Sequence, residues 1–139
     1  MIEHNTEIKT ADGVMATFIT HPETNGPHPV ILFLMDAPGK REELHDMARR
    51  ISATGYYVML PNLYYRDVPS FTVHREDPAS AKHMAHLMGN LGNAMVARDA
   101  SKLLDHAESD GSADADNVGV TGYCMSGPFA LWLAAEYPK

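Results

Sequence analysis

A single cysteine, Cys124, has nothing to pair with inside the chain, so the fold cannot rest on disulfides and the thiol is free for burial or for chemistry. That usage fits a reducing compartment, and the expected location is cytoplasmic. Long apolar runs are also missing. The densest, Val30 to Met35, falls far short of the ~20 residues a membrane-crossing helix needs, so no membrane role is expected. The opening stretch MIEHNTEIKTADG has neither a basic leader nor an apolar core, and no signal peptide is read there. Basic residues are scarce, 11 Lys and Arg against 18 Asp and Glu, and a formal net charge of −7 repels phosphate backbones. Nucleic acid is therefore not an expected partner. Metal-ligand patterns are thin as well. His83 and His86 share a helical spacing but lack the three or four converging ligands of a zinc site, and Asp110, Asp114 and Asp116 lack the Gly and Glu of a calcium loop. No metal and no other cofactor is expected.

What the chain does contain is the making of one soluble domain. Its 139 residues are 45% hydrophobic and 21% charged, ordinary values for a globular protein. A chain of this length buries roughly two thirds of its extended surface, enough for a core without staples. Thr6 to Thr10 and Val14 to Thr20 flank the turn signal Ala11-Asp12-Gly13 and predict an N-terminal hairpin. After the breaker Asn25-Gly26-Pro27-His28-Pro29, the stretch VILFLM is apolar on both faces, as in a central parallel strand. From Lys40 to Thr54 the period becomes helical, with Leu44, Met47, Ala48 and Ile51 on one face and charges on the other. Tyr56 to Leu60 predicts the next strand, and residues 61 to 80, proline-punctuated and without a period, a long irregular excursion. A helix from Asn93 to about His106, a polar loop from Asp110 to Asn117, a strand from Val118 to Tyr123 and a helix from Gly127 to Glu136 complete the pattern. Strand and helix alternate, which makes an α/β fold with a mostly parallel sheet and flanking helices the expected solution.

The segment VGVTGYCMSGPFALWLAA puts Cys124 between a strand and a helix, bracketed by small residues: Gly122 before it, Ser126 and Gly127 after. A nucleophile elbow needs this arrangement, because a strained turn must clear its neighbours while aiming its side chain outward. Cys124 would stand at a strand's carboxyl end, where open α/β sheets bind ligands. The helix N-terminus behind it favours a thiolate. A lone cysteine is more often a small buried hydrophobe; its setting here favours the nucleophile. Ser126 departs from the elbow pattern, which has glycine two residues after the nucleophile. Taken by residue type, Asp36-Ala37-Pro38-Gly39 is a turn with a helix-capping carboxylate.

GYCMSG, LMDAPGKREELHDMARRISATGYYVMLPNLYYR and PVILFL together resemble the dienelactone hydrolase family of α/β-hydrolases, in register from about Thr6 to the last residue. The resemblance implies a partial α/β-hydrolase fold and cleavage of a small-molecule ester or lactone. It implies Cys124 as the nucleophile and places Asp36 where the typical enzyme has a Glu that hydrogen-bonds the resting thiol. It also implies an oxyanion hole from the N–H groups of Met125 and Ala37. The substrate-binding arginine of the family is not assigned; Arg66, Arg75 and Lys82 lie in the region where it falls.

In α/β-hydrolases the triad acid and His follow the nucleophile in chain order, and neither an Asp nor a His follows Cys124. Residues 1–139 are accordingly expected to be the N-terminal part of a single domain whose acid and base lie beyond Lys139. None of the eight histidines, His45 among them, is expected to serve as the base. The competing reading is a non-catalytic α/β module that acts through partner binding or self-association, because a sheet ending at the elbow helix would expose an edge. A redox-sensing thiol ranks behind both.

Overall fold

The computed structural model describes residues 1–136. Two antiparallel strands, β1 (Ile2–Thr10) and β2 (Gly13–His21), form the expected hairpin, with Thr10 opposite Gly13 at the turn. Then come β3 (His28–Leu34), α1 (Glu42–Ser52), β4 (Tyr57–Pro61), α2 (Pro78–Gly89), α3 (Asn93–Glu108), β5 (Ala113–Gly122), a 3-10 turn at Cys124–Ser126 and α4 (Gly127–Glu136). The five strands make one sheet in the order β1-β2-β4-β3-β5. β4, β3 and β5 are parallel, whereas β2 joins β4 antiparallel, so the hairpin extends the sheet and renders it mixed.

Burial follows the sequence pattern. All five residues of β4 are buried, and β3 is apolar on both faces because helices cover each side. The α1 stripe closes on this core through Leu44 and Ala48, fully buried, with Met47 and Ile51 packed at its margin. Its charged face carries acidic residues in the first turn and Arg49 and Arg50 in the last, the arrangement that the helix dipole favours.

Two segments differ from the sequence expectation. The excursion after β4 ends earlier than expected, in α2. Asp77 caps this helix by accepting the Ala79 N–H at 3.0 Å, and Pro78 occupies its first position. The polar stretch before Val118 is partly strand: Ala113 and Asp114 pair with His28 and Pro29, after which the register jumps so that Val30 faces Val118. The bulge is stabilised locally, since the Asp114 carboxylate accepts from the Asp116 N–H and the Asn117 side-chain amide.

Candidate active site

Three neighbouring parallel strands set the site. Because β4, β3 and β5 run the same way, the loops that leave their carboxyl ends, residues 62–68, 35–39 and 123–126, emerge on one side of the sheet. Leu34 is in register with Gly122, which places Met35, Asp36 and Ala37 beside Tyr123, Cys124 and Met125. The Tyr123 N–H extends this pairing by one bond, to the Leu34 carbonyl at 3.3 Å.

Cys124 is exposed, and its φ of 51° puts it in the left-handed region that a residue with a Cβ rarely occupies. Such strain persists only where the surroundings hold it. Gly122 is one reason it can exist: a Cβ there would lie 2.7 Å from the Ser126 carbonyl carbon and 3.0 Å from the Ala130 Cβ, and it would overlap the Ser126 carbonyl oxygen. The turn is also tied from beneath. The Ser126 N–H reaches the Tyr123 carbonyl at 3.0 Å, and the fully buried Ser126 hydroxyl donates to the Met35 carbonyl. Serine in place of glycine two residues after the cysteine thus binds the elbow to the neighbouring loop.

That loop is closed by Asp36. Its carboxylate receives the Arg41 guanidinium at 2.7 and 3.1 Å and the Gly39 N–H at 3.3 Å, while the Gly39 N–H also meets the Asp36 carbonyl at 3.1 Å. Arg41 further donates to the Gly39 carbonyl at 2.9 Å. Hydrogen bonding to Asp36 carries the Arg41 guanidinium above its ordinary pKa against the opposing effect of burial. Asp36 therefore stands next to the elbow strand, with its hydrogen bonds directed to Arg41 and Gly39. Neither the Ala37 nor the Met125 amide is used in the backbone hydrogen bonds that close these two turns.

Tyr64, which the sequence did not single out, joins the constellation from the β4 side. Its hydroxyl donates to the Ala37 carbonyl at 2.7 Å and lies 3.4 Å from the Met125 sulfur. Burial pushes this hydroxyl well above the ordinary tyrosine pKa, and the neighbouring acidic groups, Asp36 first, add to the effect. The sequence signal was present in LYYR directly after a strand, but its partners are 27 and 61 residues away.

The remaining candidates lie elsewhere. Arg66 is paired with Asp99 at 2.8 and 3.0 Å and with Asp12 at 2.8 Å, and it stacks over Tyr65; these contacts occupy its guanidinium. Arg75 and Lys82 are exposed. His45 stacks on Phe18, with ring centroids 4.2 Å apart, and meets Glu42 at 3.1 Å. His83 contacts the edge of Phe71. Among the described residues no group of three or more His, Cys, Asp or Glu is disposed to hold a metal ion, and no described helix is long and apolar enough to cross a membrane. A cavity of about 450 Å³ lies between α3, α4 and β5, lined by Leu32, Ala97, Leu104, Val118, Val120 and Leu133 among others.

The profile of the "Dienelactone hydrolase family" matches residues 15–139. A Methylorubrum extorquens protein named "Putative carboxymethylenebutenolidase" is 29% identical over 140 residues, covering 99% of this chain and 46% of its own length. An Escherichia coli K12 protein of the same name is 26% identical over 138 residues, covering 96% of this chain and 48% of its own. The chain thus spans about half the length of these relatives. Among solved structures, "Putative Dienelactone Hydrolase from Klebsiella pneumoniae" superposes with a TM-score of 0.81 at 25% identity, covering 99% of this chain and 55% of that one. The Anabaena variabilis dienelactone hydrolase, at 17% identity and a TM-score of 0.67, covers 99% of this chain and 58% of that one and shares the fold. The match across residues 15–139 leads to one conclusion: this chain belongs to the dienelactone hydrolase family.

Proposed function

We propose that this chain carries the nucleophile half of a carboxylic ester or lactone hydrolase, with Cys124 as the attacking residue. The observation that carries the reading is an exposed thiol at φ 51° on the turn between β5 and α4, immediately beside the Asp36-Ala37 loop. A strained turn that presents a side chain outward is what an elbow requires.

In the proposed step the Cys124 thiolate adds to the substrate carbonyl carbon. A C–S bond forms, the carbonyl π pair moves to oxygen, and the N–H groups of Ala37 and Met125 receive the oxyanion. Collapse re-forms the carbonyl and expels the alcohol oxygen with its electron pair, which takes the proton first removed from the thiol. Water then adds to the thioester, the C–S bond breaks, and the carboxylic acid and the Cys124 thiol are released. Asp36 shapes the loop that supplies Ala37 and is held there by Arg41. The proton acceptor and its carboxylate are assigned to polypeptide corresponding to the half of the relatives that this chain does not span. Residues 1–139 are in this reading the N-terminal part of one hydrolase domain, acting on a small-molecule substrate in the cytoplasm without a cofactor.

The test is acylation. Incubation with p-nitrophenyl acetate, followed by peptide mapping, should place an acetyl group on Cys124. Alkylating Cys124 beforehand should prevent it. An acetyl group distributed over lysines alone, or transfer that persists in C124A, defeats the reading.

A second reading, self-association, is favoured by the apolar cavity beside β5, which is an edge strand of the described sheet. Size-exclusion chromatography over a concentration series separates the two: a monomer that unfolds cooperatively eliminates it.

A further inference from the structure

Tyr64 is the point at which the loops from all three parallel strands meet. It lies in the loop after β4, accepts no part in the sheet, and sends its hydroxyl across to the Ala37 carbonyl after β3 at 2.7 Å and to within 3.4 Å of the Met125 sulfur after β5. A phenol has one proton, and a carbonyl is a far better acceptor than a thioether, so Ala37 takes the hydrogen bond and the sulfur packs against the oxygen. The contact is buried on both sides, with Tyr64 1% and Ala37 5% exposed.

The ring is not free to swing. The Tyr64 N–H donates to the Asn62 side-chain oxygen at 3.0 Å, and the Asn62 amide in turn donates to the Val68 and Pro69 carbonyls at 3.1 and 3.2 Å. Phe71 meets the ring edge-on at 5.8 Å between centroids. The hydroxyl is thus delivered at a fixed place by a loop that the Asn62 side chain ties together. At the other end of the same segment the Ser126 hydroxyl fixes the Met35 carbonyl, so residues 35 to 37 are pinned on both sides of Asp36.

We propose that Tyr64 is a positioning residue for the oxyanion hole: by holding the Ala37 carbonyl and bearing on the Met125 side chain, it sets the separation of the two amides that receive the developing charge. The inference rests on the assignment of those amides under Proposed function. The Ala37 carbonyl belongs to the Ala37–Pro38 peptide and the Ala37 N–H to the Asp36–Ala37 peptide, so Tyr64 anchors one side of the Ala37 Cα while the Gly39 N–H holds the Asp36 carbonyl on the other at 3.1 Å. Oxyanion stabilisation depends steeply on donor placement, misplacement by about 1 Å costing up to about a hundredfold.

Two reactions of the same thiol make the test specific. Acylation by p-nitrophenyl acetate passes through an oxyanion, whereas alkylation by iodoacetamide displaces iodide and forms none. Tyr64→Phe keeps the ring packing and removes only the hydroxyl. It should slow acylation of Cys124 about tenfold or more while the alkylation rate stays within twofold of wild type. A folded Y64F protein decides the matter by itself; if the substitution prevents folding, Phe71→Leu, which removes the ring that fixes Tyr64 edge-on, decides in its place by the same ratio. Equal acylation in variant and wild type, or a parallel fall in both rates, overturns the positioning role and leaves the nucleophile assignment intact. Absence of acylation at Cys124 in the wild-type protein overturns both.

Discussion

The Asp36 carboxylate is gripped by both terminal nitrogens of the Arg41 guanidinium, only five positions on, at 2.7 and 3.1 Å. The pair is half-buried, with side-chain exposures of 20% and 30%. It closes the loop that runs past the elbow, so its integrity bears on the site as well as on stability.

Arg41→Ala should therefore destabilise the protein by about 1–2 kcal/mol, less than a fully buried charge-assisted pair because solvent screens part of it. It should also slow acylation of Cys124 as the Ala37 loop loosens. Arg41→Lys keeps the charge without the two-pronged contact and should recover only part of either loss. Urea unfolding together with the acylation rate reads both quantities. A fully native R41K protein would show that charge alone suffices.

Cys124 holds a left-handed conformation at φ 51°. Relief of that strain is worth on the order of 1 kcal/mol. Cys124→Gly should accordingly be more stable than Cys124→Ala by about that amount, although both abolish thiol chemistry. Denaturant midpoints of the two variants, measured side by side, provide the comparison. An alanine variant equal to the glycine variant would mean the turn relaxes without cost.

Gly122 and Gly55 separate crowding from conformation. An alanine methyl at Gly122 runs into the backbone of Ser126 and the side chain of Ala130, whereas one at Gly55, φ +111°, meets no atom within 4 Å. Gly122→Ala should cost at least about 3 kcal/mol or prevent folding, because the obstacle is main chain. Gly55→Ala should cost only its backbone strain, about 1–2 kcal/mol. Thermal unfolding of the two variants gives the ranking, and near-equal losses would refute the crowded elbow.

His45 predicts a pH dependence. Burial holds its pKa below the ordinary histidine value, Lys40 adds to this, and the contact with Glu42 opposes it. The unfolded chain then binds the proton more readily than the folded one, so this contribution is intact above about pH 6.5 and declines as the pH falls below it. The stability curve of His45→Gln should be flatter than that of wild type across that descent. Chemical denaturation from pH 8 to pH 5 measures the slopes, and superimposable curves would remove His45 as the cause.

Local chemistry was legible wherever one short segment decided it. Ala11-Asp12-Gly13 announced the hairpin, the spacing of Leu44, Met47, Ala48 and Ile51 announced α1, and the small residues around Cys124 announced a turn between strand and helix. Asp77-Pro78 carried the capping signal of α2, but the prolines upstream of it obscured the period. The bulge before Val118 was hidden because its polar residues satisfy one another and so read as a loop.

The sequence by itself determined that the chain alternates strands with helices and that its only thiol sits on a tight turn, since periodicity and turn chemistry act over a few residues. The tertiary structure alone decided that β3 lies between β4 and β5. That order brings Asp36 and Ala37 beside Cys124 and lets Tyr64 and Ser126 hold the two loops together. The physical reason is separation: strand order is set by which faces bury best against one another across the whole chain, and contacts spanning 27 to 91 residues leave no periodic trace in any one segment.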